Sequence, residues 1–483
     1  MTRRFPALLA AGALLLSACS TAAAAPTVRD QSNDVPFTGC DQVACTGVIN
    51  GAEYEIVMPD QWNGTLLIYS HGYRPAEPFP PAFNPVTTNA EPVPGWDEGN
   101  TEVGDALLDE GYAIAGSAYA SNGWAVEDGV RAGEEVYEFF STQIGMPNRV
   151  YVWGDSLGGL ITQTLAEQHP EWVDGAAPLC GVVAGVVPNI GLAFDAAYGV
   201  QQLLVPDMQI VEFGSYAEAL AAWEKSASLL IESAKAQDTE AIGKMLTIAA
   251  IVDAPSQTGR QDGASLVSSV TGTVESLLTA LAYGTVGRYD IEQRFGGNVS
   301  GNEATDYASR ISEEEATQID AIGGEGAAAR NAAVLDDGPR TAPDAAARAK
   351  ALEAGGNPSG AVQVPTITMH TKADPLVIVE NESFFKDRYD SRVAAGEVKG
   401  GLVQLYTVPP PEYSPEEGAP YGAGHCNFTP QSRLAVIDLL DAWVRDGVYP
   451  GQAAIAEAMG TESGYSAIYA PGPWPDPLAV VLP

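Results

Sequence analysis

Positive charge is what this sequence has least of. Lys and Arg number 24 against 62 Asp and Glu, a formal charge of −38. Such a surface repels a phosphate backbone and excludes a nucleic-acid partner. Histidine is scarcer still, at four residues, so any imidazole chemistry rests on His71, His169, His370 or His425. No Cys or His cluster has zinc spacing, and no internal repeat recurs at solenoid periods. What is present is an apolar content of 46% with 8% aromatics in 483 residues, enough for a globular protein with a sizeable core. The acidity itself reads as a solubility device.

The first residues, "MTRRFPALLAAGALLLSACS", combine two arginines, an apolar run of about 14 residues and then small residues, the layout of an export signal. The run is short of the roughly 20 residues that span a membrane. Its end, Leu16-Ser17-Ala18-Cys19, resembles the lipobox of bacterial lipoproteins, which implies cleavage after residue 18 and lipid on Cys19. Membrane contact is expected only through that lipid. Residues 19–35 read as a flexible tether. With Cys19 lipidated, Cys40, Cys45, Cys180 and Cys426 remain, an even set suited to disulfides in an oxidising compartment. Sequence permits three pairings; Cys40 and Cys45 lie close enough to close a small loop, which would leave Cys180 for Cys426.

From residue 36 to 184 apolar strands alternate with helical patterns: residues 46–58, "GTLLIYS", "GYAIAGSAY", "RVYVW" and "WVDGAAPLCG" read as strands, the pattern of a mostly parallel sheet wrapped by helices. Residues 185–360 turn Ala-rich and amphipathic and read as a helical insertion. Residues 361–483 resume the sheet with "VQVPTITMHT" and "GGLVQLYTV", close with a helix, and end in a tail expected to pack along the surface.

One motif carries chemistry. Gly154-Asp155-Ser156-Leu157-Gly158 has the GxSxG form of a nucleophile elbow. With 51 glycines chance alone supplies about 0.3 matches, but this one follows an apolar strand and opens a helix, where the chemistry needs it. A serine hydroxyl requires a base, and the base an orienting carboxylate. His169 closes the helix after the elbow, at its wrong end, and His370 sits in a strand, where packing is the expected role. His71, in "YSHGYR" after a buried strand, resembles the HG motif of lipases and esterases; backbone N–H groups of Tyr73 and Leu157 would then form the oxyanion hole. His425 remains as the base, in a Gly- and Pro-rich loop after the last strand. Asp374, in "HTKADP" just past a strand, is the candidate acid.

The order Ser156, Asp374, His425, with "SHGY", "GDSLGG", "HTKADP" and "GHCNF", resembles the α/β-hydrolase superfamily, specifically secreted bacterial serine esterases with a helical cap between the sixth and seventh strands. Residues 45–180 and 362–446 carry the resemblance. It implies hydrolysis of a small or polymeric carboxylic ester through an acyl-enzyme, with no metal or organic cofactor. A Cys180–Cys426 bridge would pin the histidine loop over the sheet edge. The Pro- and aromatic-rich segment 74–96 is expected to wall the site, and Trp124 to pack in the core, with lining of the pocket as its second reading. A serine peptidase or aminopeptidase of the same fold is the alternative, and a non-catalytic ligand-binding lipoprotein a third.

Overall fold

The structure, a computed structural model, describes residues 44–79, 87–414, 416 and 418–476. The expected signal and tether, Cys19 and Cys40 lie outside these residues. Eight strands form one sheet: β1 Ala44–Ile49, β2 Ala52–Val57, β3 Thr65–Ser70, β4 Ala113–Ser117, β5 Arg149–Asp155, β6 Gly175–Leu179, β7 Thr366–Thr371 and β8 Leu402–Thr407. Their spatial order is β1-β2-β4-β3-β5-β6-β7-β8. β1 and β2 are antiparallel to each other, β2 is antiparallel to β4, and the remaining pairs are parallel.

Residues 46–58, expected as a single strand, form a hairpin instead. Asn50 and Gly51 both take positive φ, 44° and 84°, the conformation that an Asn-Gly turn favours because it matches strand twist.

The inner parallel strands are buried at nearly every position because both faces are covered. On one face Leu66, Ile68, Val150 and Val152 pack with α2 (Val126–Phe139) and α3 (Leu157–Gln168), through Val130, Val136, Leu160 and Leu165. On the other, Leu67, Tyr69, Tyr151 and Trp153 meet Leu107 of α1 (Glu102–Asp109) and Val436 and Leu440 of α13 (Pro430–Asp446). Alternation with period two along each strand thus feeds two cores.

Between β6 and β7 run α4 Val186–Leu203, α5 Tyr216–Ala236, α6 Thr239–Ile251, α7 Leu266–Ala282, α8 Arg288–Phe295, α9 Glu313–Gly323, α10 Ala327–Asp337 and α11 Ala345–Ala354. They build a core of their own around Phe194, Tyr198, Leu230, Ile248 and Leu277. Arg288, fully buried, donates to Asn298 Oδ1 at 2.8 Å and to Ile190 O and Ser300 Oγ at 2.9 Å, tying α8 to α4.

After β7 comes α12 (Glu380–Ala395), and after α13 the short α14 (Gln452–Met459). The tail does more than run along the surface. Trp474 is 4% exposed and stacks edge-on to Phe384 of α12 at 5.3 Å. Asp476 reaches Arg310 at 3.1 Å, and the same guanidinium holds Asp195 of α4 at 2.7 Å.

Candidate active site

β5 ends at Asp155 and α3 begins at Leu157, so a single residue makes the reversal. Ser156 adopts φ 60°, ψ −121°, a strained conformation for a residue with a Cβ, which the surroundings enforce. A Cβ on Gly154 or on Gly158 would collide with the carbonyl oxygen of Ser70 at the end of β3, and one on Gly159 would come within 2.7 Å of the Gly181 Cα. The glycines of "GDSLGG" are therefore close approaches of backbone to backbone. Ser156 N–H donates to Leu179 O at 2.9 Å, binding the turn to the end of β6.

A strand order of 1-2-4-3-5-6-7-8 with a serine elbow after the fifth strand leaves one reading. The chain has the α/β-hydrolase fold.

Within this α/β-hydrolase fold, the expected acid and base meet. Asp374, three residues beyond β7, is fully buried; its Oδ1 accepts from the N–H groups of Leu376 and Val377, each at 2.9 Å, and its Oδ2 lies 2.8 Å from His425 Nδ1. Burial pushes the Asp374 carboxyl up, but the His425 imidazole, then His370 and the Val377 N–H, hold it below the usual carboxylate range. The His425 loop is held from several sides. Gly424 N–H donates to Ala373 O at 2.8 Å, Cys426 is bridged to Cys180 with Cα atoms 5.4 Å apart, and Arg433 Nη2 donates to Cys426 O at 3.1 Å. Arg433 also pairs with Asp155 at 2.7 Å, so one guanidinium links the residue before Ser156 to the residue after His425. Cys45 is disulfide-bonded as well; its expected partner Cys40 lies outside the described residues. The disulfides are consistent with export.

His425 Nε2, the atom that would take a serine proton, lies 3.4 Å from Cys426 Sγ, and among the described residues no hydrogen bond joins it to Ser156 Oγ. The two residues nevertheless share one edge. Ser156 is bonded to Leu179, and the next residue, Cys180, has its Sγ within 4.8 Å of a His425 ring nitrogen. Such hydrogen bonds commonly tighten only with substrate bound.

Opposite the serine, Gly72 packs so closely that a Cβ there would lie 3.3 Å from Ser156 Cβ. Leu157 is the first residue of α3, where N–H groups have no partner within the helix. The His71 ring stacks on Tyr119 at 3.9 Å, Nδ1 is 2.7 Å from Gly72 O, and Tyr119 Oη donates to His71 O at 2.9 Å. This fixes the turn that carries Tyr73. His169 pairs with Glu134 and Glu171 and stacks on Trp172, far along α3 from the elbow.

A cavity with about 740 Å³ of space between atoms opens at Ser156 and Leu157. Its core wall includes Tyr73, Trp124, Val182 and residues 375–378; its other wall comes from α4, α7 and the turns beside them, with Asn189, Ser276 and Tyr283 as polar members. No acidic or basic side chain lines it among the described residues. Trp124 does pack in the core, with its indole N–H on Gly355 O at 2.7 Å, and its ring also forms cavity wall. Of segment 74–96, Phe79 leans on Trp223 of α5 at 4.9 Å, and among the described residues none of the segment lines the cavity. Sequence reasoning misses Arg433, Asn189 and Tyr283, which carry no local motif. Tyr283 opens a π-helical turn after α7, a feature frequent at functional sites.

No family model matches the chain. An o-phthalyl amidase of Xanthobacter agilis is 25% identical over 158 residues, 32% of this chain and 30% of the amidase, so the match spans under a third of that protein's length. Among solved structures, a rice cell wall degrading esterase LipA from Xanthomonas oryzae is similar at TM-score 0.33 and 15% identity, over 74% of this chain and 79% of the esterase. An esterase from Aspergillus oryzae gives TM-score 0.38 at 13% identity, over 84% and 80%. A proline iminopeptidase of Mycobacterium smegmatis gives 0.35 at 12%, over 84% and 100%. The fold assignment rests on the strand order and the elbow.

Proposed function

We propose that the chain is a serine hydrolase of neutral carboxylic esters, with Ser156 as nucleophile, His425 as base and Asp374 as its orienting acid. The supporting observation is the conjunction of the serine elbow with a hydrogen bond from His425 to the buried Asp374 on the same sheet edge, beside a cavity that opens at Ser156 and carries no charged lining residue among those described. His425 takes the Ser156 proton as Oγ attacks the carbonyl carbon, and returns it to the leaving alcohol as the C–O bond breaks. Asp374 holds the imidazole and stabilises its charged form. The Leu157 and Tyr73 N–H groups receive the developing oxyanion, where one lost donor costs roughly 2.7–4 kcal/mol. Water then repeats the attack on the acyl-enzyme.

The cavity favours an apolar, uncharged acyl or aryl group, because a buried charge without a partner is costly. It offers no counter-charge to a free peptide terminus, which weighs against an aminopeptidase. The partial match to an amidase makes amides the second reading. Export through residues 1–18 with lipid on Cys19 is part of the proposal. Radiolabelled palmitate retained by wild type and lost in Cys19→Ala tests the lipid.

For the chemistry, hydrolysis of p-nitrophenyl esters of increasing acyl length is compared with that of matching p-nitroanilides. Turnover of esters that falls at least 10³-fold in Ser156→Ala supports the reading. A fully active Ser156→Ala overturns it, and faster anilide turnover transfers it to amides.

A further inference from the structure

A second imidazole stands against Asp374. His370, in β7, is fully buried; its Nε2 is 2.9 Å from Val377 O and 3.8 Å from Asp374 Oδ2, the same oxygen that His425 holds. Its Nδ1 lies 3.5 Å from Glu382 Oε1, and Glu382, in the first turn of α12, is also fully buried. Neither of these two atoms has a hydrogen-bond partner among the described residues, so a charge contact is what joins them.

The proton count is constrained. Nε2 must carry hydrogen to meet the Val377 carbonyl, so in a neutral ring Nδ1 would be a lone pair aimed at a carboxylate oxygen, two acceptors opposed in a dry interior. Glu382 Oε2 accepts from Thr368 Oγ1 and Gln404 Nε2, each at 2.6 Å, and such bonds favour an ionised carboxylate. A ring with hydrogen on both nitrogens turns the opposed pair at 3.5 Å into a cation facing a carboxylate.

We propose that His370 is a buried imidazolium, held by Glu382, that acts as a positioning residue for the hydrolytic site. It braces the 374–377 turn through Val377 O and offsets part of the Asp374 charge that His425 feels. The second role rests on the proposed triad; the charge state of His370 does not. Burial works against a charged His370, but Glu382 first and then Asp374 hold its proton affinity above that of an ordinary histidine. The titratable groups facing this network are Asp374 and His425 from the loops, Glu380 and Glu382 from α12, Tyr406 from β8, Tyr283 from the turn after α7 and, behind Glu380, Asp253.

A cation beside Oδ2 offsets part of the carboxylate charge that the His425 ring meets, so its removal should strengthen the Asp374–His425 contact. The enzyme should therefore work further into acid than a triad without that cation.

The test joins spectroscopy to kinetics. Histidine-labelled protein is followed by ¹⁵N NMR, with the His370 signal assigned by its loss in His370→Gln. One ring with two N–H groups at pH 7.5, absent from His370→Gln and neutral in Glu382→Gln, is the expected result. The acid limb of kcat/KM should move up by about one pH unit in His370→Gln and in the same direction in Glu382→Gln, roughly tenfold less activity below the limb. A purely structural histidine would lower stability and leave the limb in place. A neutral His370 ring from pH 5 to 8 in wild type overturns the proposal even where His370→Gln does not fold. An unmoved limb in folded Glu382→Gln, with the imidazolium seen, overturns the role toward His425. Activity in Ser156→Ala would overturn the hydrolase reading instead and leave the charge of His370 standing.

Discussion

Gly158 shows how narrowly the elbow is specified. It lies against the end of β3, where an added methyl has no room beside the Ser70 carbonyl, so α3 would have to lift from the sheet. Gly158→Ala is expected to cost about 3 kcal/mol and to abolish turnover, because the Ser156 turn moves with it. Gly191, inside α4 with nothing within 4 Å of the place a methyl would take, is the control: Gly191→Ala should be neutral or stabilise by about 1 kcal/mol. Urea unfolding and ester turnover on both variants check this, and an active, stable Gly158→Ala would contradict the account of the turn. The serine is readable because its glycines fall between an apolar run and a helix. As a candidate base His425 is reached by elimination among four histidines, and Asp374 as a candidate acid by its place just past a strand. Arg433 is not: its partner Asp155 is 278 positions away, and nothing near either residue announces an ion pair. His370 reads as packing, since a strand histidine shows nothing of the carboxylates that tertiary structure brings to its two nitrogens.

Strands are legible where both faces are buried, as in "TLLIYS" and "TITMHT", and misleading at residues 46–58, where the apolar pattern outweighs the Asn50-Gly51 turn. Helix arrangement between β6 and β7 is not legible, because Ala-rich amphipathic segments specify a buried stripe without naming what covers it. The Cys180–Cys426 bridge joins the end of β6 to the His425 loop across 246 positions. Spacing favours this pairing among three, and its consequence is local to two elements. Cys180→Ser with Cys426→Ser should lose about 2–5 kcal/mol of stability. Turnover should fall about 10²-fold, since a displacement of the base near 1 Å costs that much. The measurement is kcat beside thermal unfolding at a temperature where the variant stays folded. Unchanged kcat in the folded variant would mean that Asp374 and Arg433 hold the loop without the bridge.

How the helices between β6 and β7 sit on the sheet is coupled to protons. Glu380, opening α12, feels the charge of Asp253, just after α6; burial first, and then nearby carboxylate charge (Glu315 for Asp253, Asp253 for Glu380), pushes Asp253 up to about 6 and Glu380 up to about 8. Carboxyls with folded values above their unfolded ones, near 4, retain extra protons in the folded state, so stability falls as pH climbs from about 4 through those folded values. His370, also held high, acts in the same sense: its contribution is full below about 6.5 and is lost as pH rises through its folded value. Asp374, held low, acts oppositely, but its contribution is lost only in acid below the ordinary carboxylate range. Between pH 5 and 8.5 the carboxyl pair and His370 therefore act in one direction, as do the other carboxyls that burial raises, Asp195 and Asp290 among them, and Tm should fall. Glu380→Gln keeps the shape, removes one charge of the pair, and should raise Tm at pH 8.5 by roughly 2 °C or more while changing little at pH 5. Val252 and Ala254, on either side of Asp253, line the cavity at Ser156, so this charged segment adjoins the site wall. Calorimetry across the pH range decides the matter: a wild-type Tm that is flat or rises from pH 5 to 8.5 would mean that water, not the opposing layer, surrounds these carboxyls.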